Sequence, residues 1–133
     1  MSTFSYDEKN IIKRNLHDEN DVVTQFNIYE YDNKGNVVRE KYYTNIESSA
    51  PKLIRETSFK YDNKNNPFKI FEALGIPGLY TNQNNITEVH TVFQESTPGI
   101  ATSPVAKTNY LYNTKDFPVK VITDNSEYAY RYE

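Results

Sequence analysis

Tyr29-Glu30-Tyr31-Asp32-Asn33-Lys34-Gly35-Asn36-Val37-Val38-Arg39 reads as a β-hairpin. Side chains alternate on either side of Asp-Asn-Lys-Gly-Asn, whose residues tolerate positive φ or bond to their own backbone, as chain reversal demands. The unit recurs. Tyr6-Asp7-Glu8-Lys9 leads into Ile11-Ile12-Lys13, Tyr61-Asp62-Asn63-Lys64 into Pro67-Phe68-Lys69, and Tyr112-Asn113-Thr114-Lys115 into Pro118-Val119-Lys120. Each copy has Tyr, then Asp or Asn, then Lys two further on, and a basic residue after the turn. The starts lie 25, 30 and 51 residues apart, so the last interval reads as two units with the middle signature worn away.

Working outward, strands are expected at Phe4 to Asp7, Ile11 to Lys13, Val22 to Tyr31, Val37 to Tyr43, Leu53 to Tyr61, Pro67 to Phe71, Ile86 to Phe93, Val105 to Tyr112, Phe117 to Ile122 and Tyr128 to Tyr132. Residues 45–52 and 94–104 read as long loops. Residues 73–85, with two Gly, one Pro and the apolar Leu74, Ile76, Leu79 and Tyr80, form the most unusual one. Nothing has helical period. About ten strands without a helix to cover them must cover themselves. The expected fold is therefore all-β: an antiparallel meander of repeated hairpins, strongly curved or barrel-like, over a single domain spanning 1–133.

Composition narrows the chemistry. Apolar residues are 37%, but 12 Tyr and 7 Phe supply rings in place of aliphatic bulk. A net charge of −3 with interspersed signs leaves no footprint for nucleic acid. The absence of cysteine removes disulfides, thiolate metal sites and thiol nucleophiles. There is no apolar run long enough for a membrane span and no signal peptide at the start. The repeat is under way by Phe4 and still running at Glu133, which points to a chain trimmed from a longer, exported precursor.

The Tyr-Asp turn units resemble the YD repeats of Rhs-type and teneurin-type proteins, whose hairpins line large β-shells. Tyr61-Asp62-Asn63-Lys64-Asn65-Asn66-Pro67-Phe68, then Asn84-Asn85-Ile86-Thr87-Glu88-Val89 and Tyr110-Leu111-Tyr112-Asn113, are more closely similar to a family of Bacteroidetes secreted or lipoprotein domains of unknown function with a porin-like antiparallel fold. That resemblance implies an exported, cell-envelope location and brings no catalytic residues. The chain departs from the family in having neither a signal peptide nor a lipidated cysteine. No outward lipid-facing apolar band supports a pore.

Candidate sites are few. His17, in a turn, and His90, within a strand, have no spaced partner resembling a metal set or triad, so both read as structural. Asp7, Asp32 and Asp62 sit where turn capping explains them, and no calcium-loop motif surrounds them. No catalytic residue, metal site or cofactor is assigned. The tyrosines are the candidate ligand contacts: Tyr29 with Tyr31, Tyr128 with Tyr130 and Tyr132, and Tyr80 in the 73–85 loop. Members two apart share a sheet face, and exposed rings stack on sugars or anchor a protein. Core packing is the competing role for each one, here and at Tyr42, Tyr43, Tyr110 and Tyr112. The expected function is a non-enzymatic binding or scaffolding module for glycan or a protein partner at the envelope. The alternative is a small-molecule or lipid carrier with the 73–85 loop as lid, unless that loop plugs the sheet's end. A hydrolase comes third, and the last strand, Tyr128 to Tyr132, offers a pairing edge to another chain.

Overall fold

The computed structural model describes residues 1–8, 10–45, 50–74, 76–94 and 101–132. Parts of the expected long loops (46–49, 95–100), with Lys9, Gly75 and Glu133, lie outside the described residues.

Among the described residues nine antiparallel strands follow one another in a single sheet whose spatial order is the sequence order. They are β1 Ser2–Asp7, β2 Asn10–His17, β3 Val23–Tyr31, β4 Val37–Thr44, β5 Lys52–Tyr61, β6 Ile86–Phe93, β7 Ala106–Tyr112, β8 Pro118–Thr123 and β9 Glu127–Ala129. The turns after Tyr31, Tyr61 and Tyr112 are held by the residue that follows the tyrosine. The Asp32 carboxylate accepts the N–H groups of Lys34 and Asn36, both at 2.9 Å, and the Asn113 side chain accepts those of Lys115 and Phe117 at 2.9 and 3.0 Å. Gly35 takes φ +87°, a conformation glycine reaches without strain.

Three expectations are corrected. The sheet does not close: β1 pairs only with β2, and the three-residue β9 only with β8, so no barrel forms. Pro67 to Phe71 is not a strand. Pro67–Leu74 is 3-10 helix, kinked at Phe71. The hairpin that starts at Tyr61 closes on Asn85 instead: Asp62 N–H donates to Asn85 C=O and Asn85 N–H to the Asp62 carboxylate, each at 3.1 Å. Those bonds match Asp32 with Asn36 at the earlier turn, but they span 23 residues rather than 4. The long third interval is therefore one unit with an insertion in its turn, residues 66–84, and no hairpin has been lost.

Register separates the faces. One face carries ionic rungs: Glu30 binds Arg39 at 3.1 Å and Lys41 at 2.8 Å, Arg39 reaches Glu56 at 3.2 Å, and Lys60 meets Glu88 at 2.8 Å. At its far end Phe26 stacks on Tyr43, with centroids 4.8 Å apart, under the Lys13 ammonium. The opposite face carries most tyrosines, in rungs such as Arg14–Asn27–Tyr42–Arg55–Phe93, Tyr29–Glu40–Thr57–Thr91 and Tyr110–Val121–Tyr128. The chain exposes 9079 Å². A compact monomer of 15.5 kDa exposes about 7200 Å² by size scaling, so a single sheet leaves about a quarter more surface wet.

Candidate binding cleft

Every repeat tyrosine sits at a register shift. Tyr6, Tyr31, Tyr61 and Tyr112 pair across such shifts with Ile11, Val37, Ile86 and Pro118 on their return strands. A bulge takes backbone groups out of the ladder and leaves them in need of partners. The next repeat supplies one. Tyr31 Oη donates to Ile11 C=O at 2.8 Å, Tyr61 to Val37 at 2.5 Å, Tyr110 to Ile86 at 2.8 Å and Tyr132 to Pro118 at 2.5 Å. Tyr112 donates to the Asp62 carboxylate. These bonds stitch each hairpin to the one before it. Burial pushes Tyr29, Tyr31 and Tyr110 up to about 12, and raises Tyr61 and Tyr112 as well.

Asparagines fasten the insertion to this ladder. Asn36 and Asn84 exchange reciprocal bonds of 3.0 Å, Asn66 Nδ2 donates to Leu79 and Asn82 carbonyls, and Asn82 Oδ1 accepts Val37 N–H at 2.9 Å. Asn82 is 0% and Val37 2% exposed, which places this node among the most enclosed of the described residues. Val37 thus has its carbonyl taken by Tyr61 and its amide by Asn82. Phe68 lies edge-on to Tyr80 and to Tyr130, at 6.4 and 5.9 Å, so the insertion rests on the tyrosine face beside β9.

Between the insertion and the first two hairpins lies a cleft of about 570 Å³. Tyr6, Asn10, Ile11, Tyr31 and Gly35 form the sheet side, and Lys69, Glu72, Pro77, Thr81 and Gln83 form the other. Tyr6 is 60% exposed there. Two rings thus face a rim of amide, hydroxyl, ammonium and carboxylate groups, within the volume range of small-molecule sites.

The predicted contacts do not gather in one place. Tyr31 lines the cleft. Tyr29 is 5% exposed and belongs to the sheet's packing. Tyr80 stands between Phe68 and Phe71 inside the insertion. Tyr130 and Tyr132 sit together at the other end of the sheet, Tyr132 against Phe117, while Tyr128 is 60% exposed on the edge strand β9. Sequence reasoning missed Asn10, Lys69, Glu72 and Gln83, and gave Tyr6 only a turn role, because the cleft exists only once residues 66–84 leave the sheet. The repeat alignment held one signal, the Asn84-Asn85-Ile86 run that repeats Asn36-Val37.

His17 has partners after all. Its Nε2 lies 2.9 Å from Thr3 Oγ1, and its Nδ1 lies 3.1 Å from Asp21 C=O and 3.0 Å from the Asp21 carboxylate. The order hydroxyl–imidazole–carboxylate matches a nucleophilic triad, but Asn15 Nδ2 also donates to Thr3 Oγ1, and the cleft contains none of these residues. The set ties β1 to the 17–21 turn. Among the described residues no three His, Cys, Asp or Glu side chains are grouped to hold a metal, and no helix is long and apolar enough to cross a membrane.

No protein-family model, curated protein or solved structure matches this chain.

Proposed function

We propose that the protein is a non-catalytic binding module of the cell envelope whose ligand, a glycan, lies in the cleft between the Tyr6 and Tyr31 rings and the insertion. The observation that carries this reading is the lining itself. A sugar ring has an apolar C–H face and a rim of hydroxyls. Tyr6 and Tyr31 offer surfaces for the first, and Asn10, Lys69, Glu72, Thr81 and Gln83 offer donors and acceptors for the second. Strong curvature of the sheet toward the insertion is part of this reading, because it deepens the cleft. The YD-repeat kinship and the exported location belong to the same proposal and rest on the turn signatures.

A lipid carrier has less support, since Lys69 and Glu72 stand where an acyl chain requires apolar wall. The insertion is then a fixed wall, not a lid, fastened at Asn36, Asn82 and Asn85. A thermal-shift screen against oligosaccharides and fatty acids tests the reading. A glycan at a hundred times its dissociation constant adds about 2.7 kcal/mol to stability, and Lys69→Ala and Gln83→Ala abolish that gain while leaving the unliganded melting temperature in place. A shift with fatty acids alone, or a glycan shift indifferent to both substitutions, refutes it.

A further inference from the structure

Resting on the glycan reading of the cleft, we propose that its ligand is the headgroup of a glycolipid, and that the exposed side of the insertion sits in the bilayer surface from which that headgroup projects.

The insertion has two sides. Phe68 meets the Tyr130 ring at 5.9 Å and the Tyr80 ring at 6.4 Å, and these contacts hold the segment against the sheet. Other large apolar side chains of the same segment turn to water. Ile70 is 80% exposed, more than any other large apolar residue among those described, and Phe71, Ile76 and Leu79 are each nearly half exposed. Apolar surface left wet in this way is unfavourable and marks a contact site. In sequence these residues are interleaved with the cleft wall of Lys69, Glu72, Pro77, Thr81 and Gln83. One element therefore carries the polar wall and the apolar surface side by side.

Three observations favour a bilayer over a second copy of the chain. The four side chains together expose roughly 400 Å², about half of the roughly 800 Å² that each partner of a standard protein interface buries. Ile70-Phe71 is bracketed by Lys69 and Glu72, whose charged ends lie 3.9 Å apart. One cation and one anion beside an apolar pair complement the phosphate and ammonium of a zwitterionic phospholipid, while the apolar pair enters the acyl boundary. The cleft, finally, is lined by Lys69, Glu72, Thr81 and Gln83 and gives an acyl chain no apolar wall. The chains of a glycolipid thus stay in the bilayer, and only its headgroup enters the cleft.

Flotation of the full chain with vesicles of phosphatidylcholine and phosphatidylethanolamine tests this. The vesicles are used plain or doped with synthetic lipids carrying cellotetraose, chitotetraose or maltotetraose, and the free tetrasaccharides are titrated in parallel. The expected result is weak flotation on plain vesicles and at least tenfold tighter partition when the lipid carries a tetrasaccharide that also binds free. Ile70→Ser combined with Ile76→Ser should weaken flotation on both vesicle types by about tenfold or more, with the melting temperature and the affinity for free tetrasaccharide unchanged. Gln83→Ala should lose only the glycolipid increment. No flotation on either vesicle, or flotation indifferent to the double substitution, overturns the bilayer contact. A free tetrasaccharide that binds while its lipid-linked form adds nothing overturns the headgroup assignment but leaves the glycan cleft standing. Flotation on plain vesicles with no tetrasaccharide bound in either form refutes the glycan reading itself, and this ligand with it. Self-association in the ultracentrifuge that the double substitution abolishes also overturns the proposal, by making a second copy the occupant.

Discussion

Replacing Tyr61 with Phe removes one oxygen from the best enclosed hydrogen bond of the ladder. Tyr61 Oη donates to Val37 C=O at 2.5 Å, and Val37 is 2% exposed with its N–H already taken by Asn82. Water has little room to replace the lost donor, so the carbonyl bears most of its desolvation penalty, about 1–3 kcal/mol. With an unfolding entropy of about 2.1 cal/mol/K per residue, the chain loses about 4–11 °C of melting temperature. Tyr6→Phe is the internal control, because it deletes the same atom from the same repeat position where, among the described residues, no acceptor is present. Thermal unfolding followed by circular dichroism and calorimetry should separate the two: a clear drop for Tyr61→Phe and no measurable change for Tyr6→Phe. Equal melting temperatures for both variants and the wild type would refute the idea that the hydroxyls hold the hairpins together.

Asn82→Ala takes the acceptor from the buried Val37 N–H and should cost about 1–3 kcal/mol. Hydrogen exchange should show faster amide exchange within 66–84, and unchanged protection there would argue against asparagine docking. Alkali should also unfold the protein. Burial raises Tyr29, Tyr31 and Tyr110 to about 12, against about 10 when unfolded, so the folded state holds these protons more tightly. The stability they contribute is complete below about pH 10 and is lost as pH rises from there toward 12. Absorbance at tyrosinate wavelengths should rise in two stages, the second coinciding with loss of the β-sheet signal; a single non-cooperative rise of all 12 tyrosines near pH 10 contradicts the burial.

The hairpins were legible in the sequence because their turns are local. Asp32, Asp62 and Asn113 each bond to an amide two residues on, a contact that five letters encode. The fate of Pro67-Phe68 was not, for the same reason. Asp62 makes its local bond to Lys64, but whether the return strand begins at Asn66 or at Asn85 is decided by distant contacts: Asn84 with Asn36, and Asn82 with Val37. The tyrosines were noticed as rings, whereas the structure also uses their hydroxyls across repeats, at sequence separations of 14 to 24 residues that no turn motif fixes. Closure was overestimated because a repeating meander has no intrinsic end. β9 pairs over three residues and never meets β1. The cleft depends on the insertion's placement, so only Tyr31 of the predicted contacts reached it.

Titration of oligosaccharides into isotope-labelled protein, read residue by residue, tests the cleft most directly. The expected result is saturable shifts at Tyr6, Asn10, Tyr31, Lys69, Glu72, Thr81 and Gln83, with Tyr128 and β9 silent. Shifts that cluster instead on β9 and Tyr128, or no shift with any glycan, contradict a glycan site beneath the insertion.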